Sequence, residues 1–167
     1  MPDDGRHYEI IDGVLVVTGT PDQLHQRAVG RIYRVLDDAC PPEFEVLLGP
    51  FAVGLADDSE IRPDLMVAKR SHIKRQELPG PPELTVEVLS PSTRLIDINV
   101  KRPRLERAGA PSFWAVDPAE DPQHARLIVW ELQLDGRYQE VANVSGESEF
   151  HAMSPYPVKA VPAALVS

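Results

Sequence analysis

Leu84-Thr85-Val86-Glu87-Val88-Leu89-Ser90-Pro91-Ser92-Thr93 (84–93) decides the fold. Its first six residues form an apolar run interrupted only by Thr85 and Glu87, the pattern of a short strand covered on both faces. The last four are turn and helix-cap residues. They predict a helix over 94–108 that stops at Gly109, with Pro103 inside it as a point where the helix kinks or restarts. Upstream, Arg62-Pro63-Asp64 opens a second continuous run, 65–68. Two central strands, each carrying one acid and followed by a helix, make a mixed sheet of the α/β (α+β) kind the expected core.

Working outward, the same punctuation recurs. Asp12-Gly13 splits the β-prone runs 8–12 and 14–18, and Asp135-Gly136 splits 126–132 from 138–144; both are strong hairpin signals. After Pro21-Asp22, apolar residues at 24, 28, 32, 35, 36 and 39 recur at helical spacing until Pro41-Pro42. Runs at 44–48, 51–55 and 112–116 supply further strands, and the tail from Ser154 onward shows at most an edge strand. The length of 167 residues suits one domain, 1–167.

Composition narrows the classes. A hydrophobic fraction of 43% and a charged fraction of 26% are those of a soluble globular protein. The chain shows neither a secretory leader nor an apolar run long enough to span a membrane, so a cytoplasmic protein is expected. One cysteine, Cys40, excludes an intramolecular disulfide and a cysteine-rich zinc site, and predicts a free, mostly buried thiol. The five histidines show no paired spacing of a zinc hydrolase, and no nucleotide-binding or nucleophile-elbow motif is present. Trp114 and Trp130 sit in apolar runs and are expected in the core rather than as base-stacking platforms.

The net charge of −9 repels phosphate on average, but its distribution does not. Between Arg62 and Arg107 stand ten Lys or Arg against six Asp or Glu, leaving thirteen net negative charges elsewhere. Lys69, Arg70, Lys74 and Arg75, with Arg102 and Arg104, are candidate phosphate contacts; a merely solvated basic loop is the other reading of 69–75.

The acids have a chemical use. Hydrolysis of a phosphodiester needs neutralised phosphate oxygens, an activated water and a stabilised leaving oxygen, and Mg²⁺ (or Mn²⁺) held by one or two carboxylates assists all three. Asp64 and Glu87 meet that need if their strands are neighbours. Burying Glu87 is costly unless a metal or a base partners it; the alternative is a Glu87 on the solvent face of a half-exposed strand. Lys101 would supply positive charge to the water or the developing oxyanion. Asp97, four residues earlier, offers it a plain i,i+4 ion pair instead.

The series Tyr8-Glu9-Ile10-Ile11-Asp12-Gly13, His25, Arg62-Pro63-Asp64-Leu65, Val86-Glu87-Val88-Leu89-Ser90-Pro91-Ser92-Thr93, Asp97 with Lys101, Ala108-Gly109 and Phe113-Trp114-Ala115-Val116-Asp117-Pro118 resembles the Uma2 (Uma-two) family of restriction endonucleases, within the PD-(D/E)XK nuclease superfamily. The resemblance runs through 8–144 in order. It implies a restriction-endonuclease-like mixed central sheet flanked by helices, with additional N-terminal and C-terminal antiparallel strands. It further implies a metal at the sheet's centre, held by Asp64, Glu87 and the backbone carbonyl of Val88. The superfamily usually carries its lysine two residues after the second acid, where this chain has Leu89. Lys101 matches a lysine migrated to the next helix, and Glu9 and His25 match cleft positions.

The function these features predict is a Mg²⁺-dependent DNA endonuclease, a homodimer if both strands are to be cut by a chain with one cleft. A nuclease fold that has lost catalysis and serves nucleic-acid or protein binding is the alternative.

Overall fold

The computed structural model describes residues 7–167. Strands β1 (His7–Ile11) and β2 (Val14–Thr18) form a hairpin. Its two-residue turn has positive φ at Asp12 (49°) and Gly13 (76°), the combination an Asp-Gly pair adopts most readily. Helix α1 (Gln23–Asp38) follows, its first turn capped by the Asp22 carboxylate, which accepts from His25 N–H at 2.8 Å. Ala28, Ile32 and Leu36 form its buried face.

Six strands make the central sheet: β3 (Phe44–Leu48), β6 (Leu65–Lys69), β8 (Leu84–Val88), β9 (Ser112–Asp117), β10 (Arg126–Leu132) and β11 (Tyr138–Ser145), ordered β11-β10-β9-β8-β6-β3. Within this sheet only β8 and β9 pair in parallel. The helical crossover that parallel pairing requires is the 94–108 segment. The N-terminal hairpin does not extend this sheet. With β4 (Ala52–Ala56), β5 (Ser59–Ile61) and β7 (Glu77–Pro79) it forms a second sheet, β2-β1-β5-β4-β7. The tail adds a two-stranded pair, β12 (Phe150–Ala152) with β13 (Val158–Ala160), and helix α4 (Pro162–Val166).

Both faces of the central sheet are covered, as the unbroken runs predict. Leu65, Val67, Val86, Val88 and Trp114 pack beneath α1 with Ile32 and Leu36. Met66, Ala68, Phe113, Ala115 and Trp130 pack on the other side against Ile11, Val53 and Ile61 of the second sheet. Both tryptophans are therefore core. Cys40 is half-buried rather than buried, its Sγ 3.6 Å from the Pro41 carbonyl.

The helix continues through Pro103 without a break. Helix α2 (Arg94–Ile96) widens into a π segment (Asp97–Lys101), in which Arg102 N–H donates to the Asp97 carbonyl, before α3 (Arg102–Ala108) ends at Gly109. In that wider register the Ile98 carbonyl would accept from residue 103, which as proline has no N–H. Arg102 Nε takes the carbonyl instead, at 3.2 Å.

Candidate active site

Pairing of Leu65 with Val86 sets Asp64, just before β6, beside Glu87 on β8. Along β8, Leu84, Val86 and Val88 point beneath α1, so Glu87 emerges on the opposite face, toward the π segment and β1. The Asp64 N–H donates to Glu87 Oε2 at 3.3 Å, joining the two acids. Gly49 fixes the approach to Asp64. Its N–H donates to the Asp64 carbonyl at 2.8 Å, and a Cβ there would collide with the Pro63 carbonyl.

Lys101 stands at the centre. Its ammonium lies 3.0 Å from Glu9 Oε2, 3.1 Å from Glu87 Oε1 and 3.2 Å from Asp97 Oδ1, one acceptor for each of its three N–H groups. Glu9, Glu87 and Asp97 are each 2% exposed and Lys101 5%. Glu9 is braced by the Arg62 N–H, which donates to its Oε1 at 2.7 Å. Asp64 is more open. Its Oδ2 accepts from Val88 N–H at 2.8 Å and lies 3.2 Å from His25 Nε2, carried in by the first turn of α1. Its Oδ1 has no hydrogen-bond partner among the described residues. These groups line one cleft of about 340 Å³, walled by the start of α1, the β3–β4 turn and the Ser90–Thr93 corner.

Charge in this cleft is unbalanced. Four carboxyl groups, those of Glu9, Asp64, Glu87 and Asp97, face one ammonium and one imidazole, so acids outnumber bases by two. The acids respond according to their surroundings. Burial pushes Glu87 well above the carboxylate range, with Lys101 pulling it down and Asp97, Asp64 and Glu9 pushing it further up. Burial raises Asp97 as well, against the pull of Lys101 and a hydrogen bond from Thr93. Burial also acts on Lys101, but Glu87, Glu9 and Asp97 together hold it firmly charged. Burial opposes both members of the His25–Asp64 pair. Their mutual contact nonetheless raises the imidazole and, helped by Val88 N–H and Lys101, lowers the carboxyl.

Hard oxygen donors in excess over basic groups fit Mg²⁺, which takes one or two carboxylates and fills its remaining positions with water and substrate oxygens. No three carboxylate, imidazole or thiolate groups form a ready-made cage among the described residues. Asp64 and Glu87 are joined through the Asp64 N–H and are reached from the open side at Asp64.

The structure thus brings together Glu9, His25, Asp64, Glu87, Asp97 and Lys101. It does not bring in the six basic candidates. Lys69 pairs with Glu83 (3.1 Å), Arg70 with Glu45 (2.9 Å) and Lys74 with Glu77 (3.5 Å). Arg102 lies over the Trp130 ring at 4.9 Å. Arg104 is buried against Asp12 (2.9 Å) and Ser59 (3.1 Å). Lys74 and Arg75 line a separate concavity that meets the cleft at Arg62. Gly49 is a supporting residue that residue-by-residue reading passed over, and Thr93, read as a helix-cap residue, also hydrogen-bonds Asp97. The Gly49-Pro50 and Ser-Pro-Ser-Thr turn signals mark their places but not their partners.

A mixed sheet presenting an acid at the edge of one strand and an acid within the next, with a lysine from the following helix, is the architecture of a nuclease fold. The chain belongs to the Uma2 family, described as "Putative restriction endonuclease", whose family pattern matches residues 1–159. The fold is similar to that of a crystallised "putative nuclease belonging to DUF820" from Anabaena variabilis, with a TM-score of 0.69 at 20% identity, over 93% of this chain and 85% of that one. Among proteins of curated function, none matches.

Proposed function

We propose that this protein is a Mg²⁺-dependent DNA endonuclease. The observation that carries the proposal is a cleft in which carboxyl groups outnumber basic groups by two and Asp64 stands on the open side beside Glu87. Asp64, Glu87 and the Val88 carbonyl would hold the ion. Bound Mg²⁺ supplies charge neutralisation at the phosphate oxygens and an acidified water.

The chain's own residues do the positioning. His25 holds Asp64 ionised and, through Nε2, fixes one of its oxygens. Lys101 keeps Glu87 in place and supplies the positive charge nearest the reacting centre; releasing one of its three carboxylates would free an N–H for an attacking water or the scissile phosphate. Cutting both strands of a duplex calls for two clefts, hence a homodimer. No helix among the described residues is long and apolar enough to cross a membrane, which suits work on DNA in the cytoplasm.

Incubation of supercoiled plasmid with Mg²⁺ tests the proposal. Wild type should nick or linearise it, and Asp64→Ala should lose at least about 100-fold in rate, as when a preorganised electrostatic group is removed. Equal cleavage by the variant would refute the mechanism.

A second reading is favoured by one feature: all three N–H groups of Lys101 are already taken, as in a self-neutralised structural cluster. Under it the fold is a binding module, and Mn²⁺ titration calorimetry would show no binding that Glu87→Gln removes.

A further inference from the structure

Helix α1 carries His25 into the cleft on its inner face; its outer face has a pattern of its own. Gln26, which lines the cleft, begins a row continued at four-residue steps by Gly30 and Arg34, with Arg27 and Arg31 in the adjoining row. All five are exposed, and no acid interrupts them before Asp37, although the chain as a whole carries −9. The arginines have charge to spare. Arg27 Nη1 donates to the Val166 carbonyl at 3.0 Å, and Arg34 reaches Asp38 only at 3.7 Å across solvent. Arg31 has no hydrogen-bond or ion-pair partner among the described residues.

Gly30 is an independent sign. A Cβ at Gly30 would meet nothing within 4 Å, so packing within the chain does not call for glycine there. Glycine inside a helix is destabilising relative to alanine, and what it offers in return is close approach of another backbone.

We propose that the outer face of α1 seats the sugar-phosphate backbone of duplex DNA, which crosses the helix at Gly30 as it enters the cleft, with Arg27, Arg31 and Arg34 on its phosphates. The proposal rests on the nuclease reading and names how that site holds its substrate. Arg27 and Arg34 are about 10 Å apart along the helix, the rise of about three base pairs. The arginines supply charge complementarity, Gln26 gives continuity with the cleft, and Gly30 leaves room.

Anisotropy titration of a fluorescein-labelled DNA duplex across a salt series, in EDTA so that cleavage does not compete, tests this. Arg31→Gln/Arg34→Gln should bind about tenfold more weakly, with a log–log salt slope shallower by about 2, one for each lost phosphate contact. Gly30→Leu keeps every charge; it should bind more weakly at an unchanged slope, while melting no lower than wild type. Mn²⁺ titration, independent of DNA, reports on the nuclease reading and should be the same for all three proteins.

The proposal is overturned if wild type does not bind the duplex, if the double variant keeps wild-type affinity and slope, or if Gly30→Leu binds as tightly as wild type. It is also overturned if poly-glutamate displaces DNA at equal charge concentration, which would identify an acidic protein as the occupant. Loss of Mn²⁺ binding in wild type itself would instead remove the nuclease reading beneath it.

Discussion

Replacing Lys101 by methionine keeps an unbranched side chain one atom shorter and removes its charge, leaving Glu9, Glu87 and Asp97 facing one another at 2% exposure each. Removing one partner of a buried ion pair typically costs about 3–5 kcal/mol, because the remaining charge has no solvent. At this chain length each kcal/mol lowers the melting temperature by roughly 2–4 °C, so a loss of about 6–20 °C is expected near neutral pH. The cost must depend on pH with a definite sign. Glu87 and Asp97, already raised by burial and now without the ammonium that pulls them down, hold protons more tightly folded than unfolded, so the native state binds the extra protons, and stability falls as pH rises. The deficit relative to wild type should therefore be small near pH 4 to 5, where the carboxyls are largely protonated, and grow through neutrality. Urea denaturation of both proteins across that range measures it, and added Mg²⁺ should recover part of the loss in the variant by replacing the missing positive charge. An unchanged midpoint, or a deficit that shrinks as pH rises, would refute the assignment of Lys101 as the counter-charge of this cluster.

Two further outcomes follow from the same geometry. Gly49→Ala should lose about 1–3 kcal/mol, the usual cost of overpacking, because its Cβ would strike the Pro63 carbonyl; the displaced Asp64 should also weaken Mn²⁺ binding, seen by calorimetry alongside a thermal melt. His25→Ala removes a pair in which the acid is lowered and the imidazole raised. The lowered Asp64 contributes stability above its unfolded pKa of about 4, lost as pH falls through the folded value; the raised His25 contributes below its unfolded pKa of about 6.5, lost as pH rises through the folded value. The stability difference between wild type and variant should therefore peak between about pH 4 and pH 6.5, and a difference that is flat or peaks at pH 9 would contradict the pair.

The central strands were legible because their runs lacked alternation, and both faces of β6 and β8 are indeed buried. That Asp64 and Glu87 are neighbours depended on β6 pairing with β8, a partnership that the runs themselves did not name. The second sheet was not legible: β5 and β7 have three residues each and pair with strands whose partners no local pattern names. The basic cluster at 69–75 lies outside the cleft for a similar reason. Its charge was counted along the chain, whereas Arg70 and Lys69 meet Glu45 and Glu83 through the pairing of β6 with its neighbours. Pro103 signalled a helix fault correctly, but local rules offered a kink or a restart, not a π turn patched by Arg102. Convergence of Glu9 and His25 on the site came only from family resemblance, since both arrive from elements remote in sequence.

The alternation along β8 couples the chemistry to folding fidelity. If β8 slipped by one residue against β6, Glu87 would turn under α1 and be set among Ile32, Leu36 and Trp114, while Val86 and Val88 would be driven among Glu9, Asp97 and Lys101. Neither group tolerates the exchange, so misregistered chains are penalised on both faces at once. The carboxylate thus serves as a proofreading mark on strand alignment, and a chain that has reached its stable register has, by that fact, assembled its site.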